Sequence, residues 1–308
     1  MSRPELERID PELRGFLQVF PELVINRDTI KALRNRLAAG ADRPPAFPVL
    51  TDELVTEGRE HSVRLLRFRK SDRPDQPALL WMHGGGYVMG FPGDERARRF
   101  AYELDCTVLS VDYRLAPESP FPAALEDCLL ALGWLYEKSG ALGIDASRIV
   151  IGGASAGAGL AASLALRNRD AGNIPLRAQL LLYPMIDNRH EGELAQSRYY
   201  YIWSRETSLS AWSMYLADAD KSALSAYAVP ARHPDLTGLP PASAFVGAED
   251  LFCEEIVRFA ADLEAAGTGC HLEIFPGMYH GGEAYVPQAA ISRRMNQSIL
   301  AALRDAFA

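Results

Sequence analysis

Cysteine is scarce, and the four that occur, Cys106, Cys128, Cys253 and Cys270, are scattered along 308 residues with no Cys-x-x-Cys pair. A disulfide framework or a zinc site is therefore not indicated. Free thiols in a reducing cytoplasm are the expected state, and no metal or cofactor is expected. Positive charge is also short. Lys and Arg number 32 against 40 Asp and Glu, a formal net charge of −8, which argues against nucleic acid or an anionic membrane as a partner. No apolar run approaches the length of a membrane span, and Met1 to Asp10 is polar with no signal-like apolar core. Repeats and low-complexity tracts are missing. What remains is ordinary for a soluble globular enzyme, with 48% hydrophobic and 23% charged residues.

One stretch organises the rest. Arg148 to Ile151 is apolar and β-branched, Gly152-Gly153-Ala154-Ser155-Ala156-Gly157 follows, and an alanine-rich helical stretch begins near Leu160. This reads as strand, tight turn, helix. Gly153-x-Ser155-x-Gly157 fits a nucleophile elbow, where glycines let a sharply turned serine sit at a sheet edge. The N–H of Ala156 then points where a carbonyl oxygen would gain charge. The pattern is short, and a solvated serine in a glycine-rich turn is the bland alternative. Gly157-Ala158-Gly159-Leu160-Ala161-Ala162 also matches a dinucleotide fingerprint, but its glycines fall inside the helix of a mid-chain unit.

The chain around this stretch gives it a context. Met1 to about Arg43 reads as helix, ended by Asp42-Arg43-Pro44-Pro45. Leu54 to Gly58 and Ser62 to Phe68 alternate as antiparallel strands about a turn at Arg59-Glu60-His61. From Ala78 onward, buried strands alternate with helices. The expected strands are Ala78 to Met82, Cys106 to Val111, the elbow strand, Ala178 to Tyr183, Ser243 to Val246 and His271 to Phe275. That is a mostly parallel sheet with helices on both faces. Met185 to about Leu216 interrupts it with an aromatic insertion in which Trp212 and Tyr215 are read as packing.

In such sheets ligands sit beyond the carboxyl ends of the strands. His83-Gly84-Gly85-Gly86, Ser155, Asp250 and His280 each lie just past a strand, so all map to one edge. Three glycines after a buried strand suit backbone N–H donors approaching an oxyanion, with His83 bracing their loop. Serine needs a general base, histidine titrates near neutrality, and an aspartate can orient it. Of six histidines, His61, His190 and His233 read as surface residues and His271 opens a strand. Only His280 sits in a glycine-bounded loop after a late strand. Asp250 is the nearest acid to its strand end, Glu254 and Glu255 read as capping the next helix, and Asp187 is the alternative acid.

With Asp112-Tyr113-Arg114-Leu115-Ala116-Pro117-Glu118, Gly247 to Leu251 and Pro276-Gly277-Met278-Tyr279-His280-Gly281, these motifs resemble the hormone-sensitive-lipase-like esterases of the α/β-hydrolase fold. The resemblance covers about Phe47 to the C-terminus. It implies one α/β domain over 1–308, with about eight strands flanked by helices and a helical cap at about 1–45 and 187–216. It implies a triad of Ser155, Asp250 and His280, and an oxyanion hole from Gly85 and Gly86, with Gly84, and Ala156. Ala154 departs from the acidic residue usual before the nucleophile, and Gly159 is displaced by Ala158. Tyr87 and Tyr199, Tyr200 and Tyr201 are candidates for the substrate pocket. The expected activity is hydrolysis of small or short-chain esters through an acyl-enzyme. The alternatives are an amide, lactone or acetylated metabolite on the same groups, or a non-catalytic receptor. A homodimer is left open.

Overall fold

The computed structural model describes residues 6–21, 23–39, 44–58, 61–172, 174–217 and 224–308. Eight strands form one sheet in the order β1-β2-β4-β3-β5-β6-β7-β8. β1 (Leu50–Val55) and β2 (Arg64–Arg69) are antiparallel to each other, and β2 is antiparallel to β4 (Thr107–Val111). The remaining pairings, among β3 (Gln76–Met82), β4, β5 (Ile144–Ala154), β6 (Ala178–Leu182), β7 (Ala242–Gly247) and β8 (Cys270–Phe275), are parallel. Every residue of β3 and β4 is buried. Helices cover both faces of such a parallel centre, and its strands accordingly read as continuous apolar runs.

The helices are α1 (Pro11–Val19), α2 (Ile30–Ala39), α3 (Glu95–Leu104), α4 (Ala123–Lys138), α5 (Ala156–Ala171), α6 (Glu193–Ser197), α7 (Arg205–Leu216), α8 (Cys253–Ala265), α9 (Gly282–Tyr285) and α10 (Ala290–Phe307). The first of these correct the expectation of one long N-terminal helix. Pro21 follows α1 and removes the N–H a continuing helix needs. Asn26 Oδ1 then accepts from the N–H groups of Asp28 and Thr29 just ahead of α2. The first hairpin is also displaced. Val55 pairs with Arg64, so its connection spans 56–63 and closes through Thr56 N–H to Val63 O at 2.9 Å. Of the expected turn there, Arg59 and Glu60 lie outside the described residues, as do Met1 to Glu5 of the polar N-terminus and Asp42-Arg43 of the expected helix stop.

The N-terminal helices are stitched to the loops that follow the strands. Ile9, Leu13 and Leu17 are buried, Asp10 N–H donates to Gly277 O, and Phe16 stacks on Tyr285 at 4.9 Å. Arg34 donates to Val88 O at 2.7 Å and Ala116 O at 2.6 Å, and its fork also meets the Glu118 carboxylate. Among the described residues, no helix is long and apolar enough to cross a membrane.

Candidate active site

Ser155 sits between β5 and α5 with φ 56° and ψ −120°, a region that a non-glycine residue rarely adopts. The turn is held by Ser155 N–H to Leu182 O and by Gly159 and Met185 N–H to Ser155 O. The flanking glycines are needed for space. A Cβ at Gly153 would lie 2.3 Å from the Gly157 backbone, and one at Gly157 would lie 2.0 Å from Met82 O. Gly159, displaced by one position, meets Met185 O and the Tyr87 hydroxyl at 2.2 Å in the same test.

His280, in the loop after β8, brings Nε2 to 3.0 Å from Ser155 Oγ, and its Nδ1 lies 2.7 Å from Asp250 Oδ2. A carboxylate only accepts, so Nδ1 carries the hydrogen and Nε2 is left to accept from the serine hydroxyl. The other Asp250 oxygen accepts from Phe252 N–H at 2.9 Å, which fixes the carboxylate plane. Three groups separated by up to 125 positions in sequence thus form one hydrogen-bonded line, all buried. Asp187, the alternative acid, is engaged elsewhere. Burial pushes its carboxyl up, but the Arg189 fork overrides this and holds it below its usual range.

The glycine loop leaves β3 beside Ser155. Gly85, Gly86 and Tyr87 have φ of 125°, 61° and 64°. The Gly85 carbonyl takes the N–H groups of Val88 and Met89, and no hydrogen bond among the described residues uses the N–H of Gly85, Gly86 or Ala156. Gly84 presents its carbonyl to His83 Nδ1 at 2.8 Å. Burial holds the His83 imidazole below its usual range, and its ring stacks on Tyr113 at 4.2 Å while Tyr113 O–H donates to His83 O.

A cavity of about 360 Å³ opens on Ser155, His280, Gly84 and Gly85. Tyr87 does not line it. Its ring is buried against Tyr215 at 4.0 Å, and its hydroxyl donates to Met185 O. Tyr199, Tyr200 and Tyr201 line a separate cavity of about 150 Å³, which shares only Leu23 and Ile202 with the first. Ile202 and Trp203, the next residues along, occupy the wall instead. Trp203 sits over Gly86, where a Cβ would lie 2.4 Å from the indole.

Several neighbours escaped the sequence reading. The Tyr183 ring meets His280 edge-on at 4.8 Å, and its hydroxyl donates to Glu283 while accepting from Arg96. A tyrosine just past β6, at the edge where the other site residues lie, is the signal for it. His190 is buried rather than on the surface, paired with Glu255 at 3.1 Å. Burial pushes the Glu255 carboxyl up to about 7 against the pull of His190. Glu254 serves another helix than its own, accepting from Leu194 and Ala195 N–H at the start of α6.

A family model described as the alpha/beta hydrolase fold matches residues 79–283, two thirds of the sequence and all of the parallel sheet except the start of β3. The chain belongs to the α/β-hydrolase fold family, among its hormone-sensitive-lipase-like esterases. It is 33% identical to esterase LipI of Mycobacterium tuberculosis over 97% of this chain and 96% of that one. It is likewise 33% identical to an ethyl acetate hydrolase of Pseudomonas putida, over 79% and 78% of the two chains. A solved structure, a bacterial heroin esterase, superposes with a TM-score of 0.92 at 33% identity, covering 98% and 99% of the two chains. Within this α/β hydrolase, all four cysteines are free, and burial pushes the thiols of Cys106, Cys253 and Cys270 up to about 12. Among the described residues no group of three His, Cys, Asp or Glu could hold a metal ion.

Proposed function

We propose that this α/β hydrolase cleaves small or short-chain carboxylic esters through an acyl-enzyme on Ser155, in a cytoplasmic setting where its thiols stay reduced. The observation that carries this reading is the line Ser155 Oγ, His280, Asp250 set against backbone N–H groups that have no hydrogen-bond partner among the described residues. Ser155 Oγ attacks the ester carbonyl and gives its proton to His280 Nε2. The imidazolium keeps its Nδ1–H on Asp250, and the carbonyl oxygen takes the negative charge. The N–H groups of Gly85, Gly86 and Ala156 receive that oxygen. His280 then protonates the alkoxide, the C–O bond breaks and the alcohol leaves. Water enters, loses its proton to the same Nε2 and releases the acid by the reverse path.

A cavity of about 360 Å³ lies at the small end of ligand sites, which run from about 300 to 1,000 Å³. That supports compact esters as substrates. The stretches at about 1–45 and 187–216 act as the cap. Their described parts supply Leu23, Leu37, Ile202 and Trp203 to the cavity wall. Activated esters of increasing acyl length, with active-site labelling by a serine-directed phosphonate, test the reading. Phosphonate uptake at Ser155 and a peak at short chains are expected. Turnover that survives Ser155→Ala, or a peak at long chains, would refute it.

A further inference from the structure

The Ser155 cavity does not end in the bulk of the protein on the side of the glycine loop. A second cavity of about 450 Å³ lies against it, lined by Pro44, Pro45, Ala46, Leu66 and Pro92 with Arg64 and Arg98. Phe91, Gly93 and Glu95 line both cavities. Phe91 is the one large apolar side chain among these three, and it is unusual for its type in being 37% exposed.

The sequence around it explains why the ring stands there. Gly90, at φ 117°, turns the chain where a Cβ would lie 2.3 Å from Gly84 O and His83 Nδ1, so the residue after it is thrown outward from the glycine loop. Gly93 then leaves room for the ring edge, since a Cβ there would lie 2.8 Å from Phe91 Cε2. No aromatic or cationic group among the described residues stacks on the Phe91 ring. The Arg98 guanidinium lies over Phe68 instead, and Arg64 is paired with Asp112 and Glu53. The second cavity thus joins an apolar stretch, Pro44, Pro45, Ala46, Leu66 and Pro92, to arginines that each already face a carboxylate, Arg64 at Asp112 and Glu53 and Arg98 at Glu95, 3.9 Å away, which suits a hydrocarbon tail better than an anion.

We propose that Phe91 is a specificity-determining residue whose ring partitions the two cavities and confines the ester's carbon chain to the one holding Ser155. The neighbouring chamber is the space that a longer acyl or alkyl arm would fill once the ring is removed. This rests on the ester-hydrolase reading above, and it assigns the preference for short chains to one side chain rather than to the cap as a whole. Each methylene newly buried in apolar surroundings is worth about fourfold in kcat/KM. A chain extended by three such groups into the second chamber therefore gains about sixtyfold over the same chain held in solvent.

The test compares wild type, Phe91→Ala and Phe91→Trp on two series: p-nitrophenyl esters from acetate to decanoate, and acetates of alcohols from methanol to octanol. Phe91→Ala is expected to raise the ratio of long-chain to acetate kcat/KM by about tenfold or more in at least one series, whatever its effect on acetate turnover itself. Phe91→Trp is expected to move that ratio the opposite way, which a general loss of stability would not do. An unchanged chain-length profile in both series for both variants would overturn the proposal. Acetate turnover and phosphonate labelling in the same variants report separately on the hydrolase itself.

Discussion

Replacing Asp250 with asparagine preserves shape and removes one charge, so its cost can be worked from two contacts. One carboxylate oxygen faces His280 Nδ1 at 2.7 Å, and the other accepts from Phe252 N–H at 2.9 Å. The asparagine amide has two placements. With its oxygen toward Phe252 N–H, its NH2 faces Nδ1 and forces the hydrogen onto Nε2. The imidazole then donates toward Ser155 and can no longer take its proton. With its oxygen toward Nδ1–H, the NH2 collides with the Phe252 N–H, leaving a buried donor unsatisfied at a cost of about 1–3 kcal/mol. The first placement is therefore favoured, and it is the unproductive one. It also strips the imidazolium of its charged partner. Together these amount to a loss of about 10⁴ in kcat, the scale seen when a triad loses its tautomer control, or about 5 kcal/mol of barrier.

Steady-state hydrolysis of p-nitrophenyl acetate, read against a melting curve, measures this directly. Asp250→Asn should melt near wild type, while Asp187→Asn, whose carboxylate is held by Arg189 away from His280, should keep its rate within about tenfold. If Asp250→Asn retains more than a tenth of wild-type kcat, or if Asp187→Asn shows the large loss, the orienting role given to Asp250 is wrong.

Ser155→Ala should lower kcat by about 10³ to 10⁶ while the protein still folds. Ser155→Gly relieves backbone strain of about 1–3 kcal/mol and should raise the melting temperature above that of Ser155→Ala; equal melting temperatures would mean the elbow stores no strain. Gly157→Ala puts a Cβ within 2.0 Å of Met82 O and should abolish soluble folded protein or cost more than about 3 kcal/mol in denaturant titration. The Glu255 carboxyl, raised by burial to about 7, binds a proton in the folded state where the unfolded chain has already released it. Its contribution to stability is full below the ordinary carboxylate range and is lost as pH rises through about 7. Glu255→Gln should flatten the fall in melting temperature between pH 5 and 8, and an unchanged slope would show that another group titrates there.

The parallel core was readable because its signals are local. Ala78 to Met82 and Arg148 to Ala154 are runs that only a doubly covered strand tolerates, and the glycines around Ser155 answer collisions with residues one turn or one strand away. Asp250 and His280 could be paired on paper because the rule placing sites at strand ends needs only the strands. What stayed hidden depends on partners distant in sequence with no periodicity to announce them. Nothing in Tyr199-Tyr200-Tyr201 tells which of five adjacent residues faces Ser155. That is decided by Gly86, more than a hundred positions earlier, whose missing side chain admits the Trp203 indole. His190 read as polar and exposed because its charge partner, Glu255, sits in a helix whose first turn seemed sufficient reason for an acid. The same logic applies to Phe91. An exposed phenylalanine between glycines reads as an ordinary surface apolar residue, and its position between two cavities follows only once the turn at Gly90 is seen to throw it clear of the glycine loop. The chemistry proposed for Ser155 thus rests on residues whose neighbours are set by the sheet, while the chain-length preference proposed for Phe91 rests on one whose neighbours are set by loops.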